Sequence, residues 1–147
     1  VLLMRTMSKF GLAGVRIGYL VGPAAAIREI DKVRPPYNIS VLNYECALFA
    51  LEHKDVFSAQ AGELIAQRAM LFDTLSSIPN VKAFKSDANM MLLRVADPQK
   101  TFEGMKAKGV LIKNISKMHP LFFFFLRLTV DTAEENATMV AAIKASI

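Results

Sequence analysis

The sequence predicts a mixed α/β protein, and three patterns along the chain carry that prediction. Four of the seven glycines lie between residues 11 and 22, in a loop flanked by two apolar runs at 1–4 and 17–21. Because glycine permits positive φ and close backbone approach, this stretch predicts a strand-loop-strand element that holds a ligand. Residues 23–77 contain helical patterns, and residues 80–147 alternate between strand and helix patterns. The last region predicts a small α+β layer of strands backed by helices.

Turn and capping residues divide the region from 23 to 77 into three predicted helices. Pro23 begins the first helix, which ends before Arg34–Asn38 because two consecutive prolines cannot continue a helix. Ser40 caps the second helix, in which Cys46 is predicted to be a small buried hydrophobe. A third helix, residues 55–77, is expected to pack through an apolar stripe formed by Ile65, Ala69, Phe72 and Leu75.

Capping residues also delimit the predicted helices of the last region. Asp97 begins a helix that Gly109 terminates. Thr132 and Glu135 have the spacing of a capping box, which opens the final helix. Four short apolar or alternating runs predict strands, at residues 81–84, 90–95, 110–112 and 126–130, and the first two are joined by a hairpin-like connection.

Composition and charge exclude several classes of protein. The chain has 147 residues, of which 53% are hydrophobic, enough for a globular domain with a sizeable core. The net charge is +5, but basic and acidic residues are interspersed, so an anionic cofactor or substrate explains the excess better than a nucleic acid does. No apolar stretch reaches the about eighteen residues of a membrane span. One cysteine excludes an internal disulfide and fits a reducing, cytoplasmic compartment, and two separated histidines indicate no metal site.

The segment around Lys9 is the strongest candidate for a functional site. Thr6 and Ser8 place hydroxyl groups beside this lysine, and Arg16 adds a second cation. Phosphate accepts bidentate hydrogen bonds from arginine and further bonds from hydroxyls, and a lysine amine condenses with aldehydes. The donor set therefore predicts a site for pyridoxal 5′-phosphate. The alternative is a solvated lysine in an ordinary glycine turn, which the pattern taken as a whole disfavours.

Three stretches carry a resemblance to a known family. Residues 8–19, Ser-Lys-Phe-Gly-Leu-Ala-Gly-Val-Arg-Ile-Gly-Tyr, resemble the Schiff-base segment of fold-type I aminotransferases, most closely the histidinol-phosphate branch. Residues 109–114 and 126–136 agree with the same family. The resemblance covers nearly the whole chain. It implies that the chain corresponds to the C-terminal half of such an enzyme. It implies three parts: the end of the large cofactor-binding domain (residues 1–36), a helical connection that includes a long linking helix (37–79) and the small α+β domain (80–147).

The resemblance also implies an activity and a role for individual residues. Lys9 is expected to be the catalytic lysine of a homodimeric aminotransferase of histidine biosynthesis. The substrates that it implies are histidinol phosphate and 2-oxoglutarate or glutamate. The implied cofactor-binding residues are Thr6, Ser8, Lys9 and Arg16, and the implied substrate-binding residues are Asn38, Lys113 and Arg127.

Two other interpretations stay open at the level of the sequence. The chain could belong to another fold-type I enzyme, such as a different aminotransferase or a threonine-phosphate decarboxylase, because the lysine segment is shared. It could also be an isolated folding or interaction module without activity. Val1 lies in a predicted strand and is not a methionine, so we expect a piece of a larger protein. We further expect it to be inactive alone, because the acidic and aromatic partners of the cofactor precede it in that family.

Overall fold

The computed structural model describes residues 1–147 and confirms the mixed α/β fold. The chain forms two compact units, residues 1–60 and residues 61–147. None of the helices combines the length and the apolar character that a membrane-spanning segment needs.

The first unit contains the predicted strand-loop-strand element. Strand β1 (Leu3–Thr6) pairs antiparallel with β2 (Gly18–Val21), and Thr6 lies opposite Gly18. A Cβ atom at Gly18 would lie 2.8 Å from the carbonyl oxygen of Arg5, so this close pairing requires glycine. The backbone N–H of Met7 donates to the carbonyl of Ile17 at 2.9 Å and closes the base of the loop.

Three helices follow these strands, close to their predicted positions: α1 (Ala24–Asp31), α2 (Val41–Glu52) and α3 (Lys54–Ser76). The hydroxyl of Ser40 accepts from the backbone N–H of Asn43 at 3.2 Å, which confirms the predicted cap. The prediction that Cys46 is buried is wrong, because its side chain is exposed and α2 instead buries Ala47 and Ala50. The apolar residues of α2 are distributed over all of its faces, so their periodicity alone could not identify the buried face.

The second unit is a four-stranded antiparallel sheet backed by helices. The strands are β3 (Lys82–Ala83), β4 (Met90–Arg94), β5 (Lys113–Asn114) and β6 (Phe125–Thr129), in the order β3-β4-β6-β5. Its helices are α4 (Pro98–Ala107), α5 (Ala133–Lys144) and the C-terminal part of α3. Alternate strand residues and the helices share one core, which includes Leu75, Met91, Leu93, Met105, Leu126, Leu128 and Ile143.

Two predictions in this unit are wrong. Residues 110–112 form no strand, and β5 begins only at Lys113. The reason is that the N–H of Val110 bonds to the carbonyl of Met105 at 3.0 Å, which uses this backbone to end α4 rather than to extend the sheet. The predicted stripe on α3 also fails at Ile65, which is 56% exposed, and at Ala69, which is exposed as well. The residues of this helix that become fully buried are Leu71 and Leu75.

The predicted caps of the second unit are confirmed. Gly109 adopts a φ of 78° after α4, as a terminating glycine does. The hydroxyl of Thr132 accepts from the N–H of Glu135 at 3.3 Å, and the Glu135 carboxylate lies 2.9 Å from that hydroxyl. Asp97 caps α4 by accepting from the N–H of Lys100 at 2.9 Å.

Candidate functional site

A cleft beside Lys9 is the candidate active site. It has a volume of about 590 Å³ and lies entirely within the first unit. Three cations line it and no carboxylate does, so the cleft attracts anions. Two hydroxyl groups also face it. Its lining residues are Met4, Arg5, Thr6, Lys9, Gly18, Tyr19, Leu20 and Arg34.

The loop after β1 positions the lysine and its hydroxyl neighbours. Met7–Phe10 forms a 3-10 turn in which Met7 is buried and Lys9 is exposed. The Thr6 hydroxyl caps this turn by accepting from the N–H of Ser8 at 3.1 Å. The hydroxyl oxygens of Thr6 and Ser8 lie 2.9 Å apart. The turn therefore fixes both hydroxyls beside a lysine that is free of ion pairs, and of the two only Thr6 lines the cleft.

Arg16 lies in the same loop but does not line the cleft. It has a φ of 55°, in the left-handed region that non-glycine residues seldom adopt. Its side chain is exposed and forms no hydrogen bond or ion pair with the protein. Strained backbone of this kind tends to occur at functional sites, so the role of phosphate ligand remains a prediction for Arg16.

Two of the predicted substrate-binding residues lie together in the second unit. Arg127 in β6 is the register partner of Lys113 in β5. Both side chains are exposed on the sheet face opposite the helices, where Arg127 also lies opposite Leu92 of β4. Neither has a carboxylate within 4 Å. The pair therefore presents two uncompensated cations from adjacent strands.

The third predicted substrate residue, Asn38, belongs to the first unit and is hydrogen-bonded to a residue that lines the cleft. Its Oδ1 accepts from Nη1 of Arg34 at 3.3 Å. Arg34 also donates from Nε to Oδ1 of Asp31 at 2.6 Å. Asn38 is thus hydrogen-bonded to an arginine that lines the cleft, and it does not line the cleft itself.

Three polar residues of the cleft are not among the site residues that the sequence predicts, namely Arg5, Tyr19 and Arg34. Arg5 and Tyr19 are register partners on β1 and β2, a pairing that the predicted strands could have indicated. For Arg34 the sequence predicts only that the first helix ends before it, and no local signal marks its contact with the cleft. The chain contains no group of three or more His, Cys, Asp and Glu side chains arranged to hold a metal.

The family model for aminotransferase class I and II matches residues 1–143. The chain belongs to this family. The match includes the Lys9 loop of the first unit and the paired cations of the second.

Curated aminotransferase relatives match nearly the entire chain or all of it. The chain is 69% identical over 147 residues to the histidinol-phosphate aminotransferase of Polaromonas naphthalenivorans, covering 100% of this chain and 40% of the relative. It is 62% identical to the enzyme of that name from Methylibium petroleiphilum, covering 98% of this chain and 39% of the relative. The chain thus spans about two fifths of the length of these relatives.

Solved structures share the fold of this aminotransferase chain. Histidinol-phosphate aminotransferase from Clostridium acetobutylicum gives a TM-score of 0.84 at 20% identity, covering 97% of this chain and 44% of that one. L-threonine-O-3-phosphate decarboxylase from Porphyromonas gingivalis gives 0.82 at 21%, covering 97% and 45%. Histidinol-phosphate aminotransferase from Sinorhizobium meliloti, solved with pyridoxal-5′-phosphate, gives 0.73 at 20%, covering 98% and 40%. At this identity the likeness shows the fold alone.

Proposed function

We propose that this chain supplies the catalytic lysine and the substrate anion site of a pyridoxal 5′-phosphate-dependent aminotransferase that acts on histidinol phosphate and 2-oxoglutarate. The observation that carries the activity is the placement of Lys9, a lysine without an ion pair, in a cationic cleft free of carboxylates. The choice of substrate is supported by the names of relatives that are 69% and 62% identical.

The residues around the cleft suit pyridoxal 5′-phosphate. The volume of about 590 Å³ lies within the about 300–1,000 Å³ that is usual for cofactor sites. The amine of Lys9 suits the aldehyde, and the hydroxyls of Thr6 and Ser8 suit the phosphate oxygens. Arg16 in the same loop adds a guanidinium for the phosphate. When bound, the cofactor supplies an electron-withdrawing ring to the carbon that loses its proton.

In this proposal Lys9 has two roles. Its Nζ would hold the cofactor through the aldehyde carbon, and as a free amine it would move the proton that leaves the α-carbon of the substrate. A short 3-10 turn carries the lysine, and the buried Met7 anchors that turn. An anchored turn keeps Nζ within reach of the reacting carbon, which is the geometric requirement for general base catalysis.

The substrate's anionic group is assigned to Arg127, with Lys113 as a second cation. A guanidinium binds phosphate or carboxylate with two parallel hydrogen bonds, and the opposite lysine adds charge. Asn38 is assigned separately, as a residue beside the Lys9 cleft that meets the substrate next to Arg34, to which it is hydrogen-bonded. As a part of this proposal, the natural polypeptide is longer than this chain and works as a cytoplasmic homodimer.

The experiment compares Lys9→Ala with Lys54→Ala in the natural full-length polypeptide. Each protein is incubated with pyridoxal 5′-phosphate, reduced with borohydride and analysed by mass spectrometry, and absorbance is recorded before and after addition of histidinol phosphate. We expect Lys9→Ala to lose the covalent cofactor and the transamination while its circular dichroism spectrum is retained. Lys54, an exposed lysine outside the cleft, serves as the control, and its replacement should change neither property.

Three results would contradict the proposal. Retention of the borohydride-fixed cofactor in Lys9→Ala would show that another lysine carries it. Carbon dioxide release from a phosphorylated amino acid, without amino transfer, would identify a decarboxylase instead. A full-length protein that binds no cofactor would leave the chain as a folding or interaction module.

A further inference from the structure

Arg34 reaches the Lys9 cleft from the segment between α1 and α2, and two side chains orient it there. Asp31 accepts from Nε at 2.6 Å, and Asn38 accepts from Nη1 at 3.3 Å. These two bonds use two of the three guanidinium nitrogens. Its Nη2 group forms no hydrogen bond with the protein, while the residue lines the cleft. A guanidinium held in this way is prepared to donate to a further acceptor.

Stability gives a poor explanation for this arrangement. The side chains of Arg34 and Asp31 are 57% and 56% exposed. Ion pairs at such exposure are screened by solvent and contribute little to folding. The pair does restrict the rotamers of a long side chain, and restriction of that kind favours the binding of a ligand. The pair therefore positions the guanidinium rather than stabilising the fold.

The cleft has more positive charge than its lysine alone provides. Arg5 lines it together with Arg34 and Lys9, and neither Arg5 nor Lys9 forms an ion pair. The only carboxylate paired with any of the three is Asp31, which lies outside the lining. Clustered cations with low-dielectric walls concentrate anions, and a dianion is favoured over a monoanion.

We propose that Arg34, with Arg5, forms a binding subsite for the dianion of a phosphate monoester in the Lys9 cleft. The subsite lies in the first unit and is separate in sequence from the Lys113–Arg127 pair. This inference rests on the proposed function for the identity of the phosphate compound, which is either the cofactor or the substrate. The two sources share one chemistry, in which Nη2 of Arg34 donates to a phosphate oxygen.

The test measures phosphate binding by the natural full-length polypeptide freed of cofactor, using calorimetric titration with inorganic phosphate. Arg34→Gln should weaken binding about tenfold or more, as expected for the loss of a charge-assisted donor. The phosphate affinity of Arg34→Lys should lie between those of the unaltered protein and of Arg34→Gln, because lysine keeps the charge without the planar fork. Arg28→Gln is the matched control, since Arg28 is an exposed arginine of α1 outside the cleft. It should change the affinity less than about twofold.

A second variant separates orientation from net charge. Asp31→Asn removes a negative charge near the cleft, so charge alone predicts tighter phosphate binding. The subsite predicts weaker binding, because the neutral amide no longer holds Nε strongly. Tighter binding by Asp31→Asn would overturn the proposal. Equal effects of Arg34→Gln and Arg28→Gln on phosphate affinity, with both proteins folded by circular dichroism, would overturn it as well.

Paired ligands identify the source of the phosphate. If the phosphate belongs to the cofactor, Arg34→Gln should weaken the binding of pyridoxal phosphate more than that of pyridoxal. If it belongs to the substrate, the variant should weaken the binding of histidinol phosphate more than that of histidinol. Either result supports the subsite. Binding of inorganic phosphate requires no turnover, so the failure of transamination in the unmodified protein would overturn the proposed function without altering this measurement.

Discussion

Lys113 and Arg127 lie directly opposite each other on β5 and β6, and both side chains are exposed. Residues in this relationship have Cβ atoms about 4.5–5.5 Å apart, and like charges there are destabilising. No carboxylate within 4 Å compensates either cation. A bound oxyanion would remove this repulsion, so the cost of the pair in the free protein becomes a gain on binding.

The repulsion predicts that Lys113→Gln stabilises the protein. We expect the free energy of unfolding to rise by about 0.2–1 kcal/mol, with a larger gain at low salt because salt screens exposed charges. Urea unfolding at two ionic strengths measures the effect. Lys117→Gln is the control, since Lys117 is exposed and lies outside the strands. The same unfolding midpoint for both variants at low salt would contradict the repulsion between Lys113 and Arg127.

Replacement of Arg127 should affect the substrate rather than the cofactor. Charged hydrogen bonds contribute about 1.5–3 kcal/mol each, so Arg127→Ala should lower kcat/KM for anionic substrates by at least about tenfold and up to hundreds of times. Arg127→Lys should recover part of the loss. Steady-state kinetics and a cofactor titration check both statements in the full-length polypeptide. Unchanged substrate constants, or a loss of cofactor as large as that caused by Arg16→Ala, would leave Arg127 without a substrate role.

Arg16→Gly should separate backbone strain from cofactor binding. Glycine adopts the φ of 55° without the cost that a side chain incurs, about 1–2 kcal/mol, which offsets the greater flexibility of glycine in the unfolded chain. We therefore expect unfolding to change little while the affinity for pyridoxal 5′-phosphate falls at least about tenfold. Asn80→Gly, at a φ of 62°, is the control and should leave cofactor affinity unchanged. If Arg16→Gly binds cofactor as well as the unaltered protein, Arg16 is not a phosphate ligand.

Two glycine substitutions should have opposite effects on stability. A Cβ atom at Gly104 would lie 2.7 Å from Oγ and 2.8 Å from Cβ of Ser146, so Gly104→Ala forces α4 and the C-terminal residues apart. We expect a destabilisation of about 1–3 kcal/mol. Gly62 in α3 has no atom within 4 Å of that position, so Gly62→Ala should stabilise by up to about 1 kcal/mol. Thermal unfolding measures both, and a stabilised Gly104→Ala variant would contradict the packing of Ser146 against α4.

Local signals in the sequence predicted the helix ends and the Lys9 loop correctly. The caps at Ser40, Asp97 and Thr132 depend only on residues within one turn, and each forms the predicted hydrogen bond. The loop could be predicted for a similar reason, since clustered glycines and adjacent hydroxyls lie close in sequence to the lysine. Burial was harder to predict for α2 and α3. Cys46 and Ile65 are exposed, although each belongs to an apolar pattern.

The sequence by itself determined the order of the helices and strands, the lysine turn and its neighbouring hydroxyls. Only the tertiary structure decided that Arg34 joins Lys9 in one cleft and that Lys113 lies opposite Arg127. The physical reason is that strand register depends on which backbone groups are left free to pair. Val110 donates to Met105 to end α4, so pairing begins at Lys113 and brings that lysine opposite Arg127. The position of the Arg34 side chain likewise depends on hydrogen bonds to Asp31 and Asn38, which form only once the segment between α1 and α2 is folded.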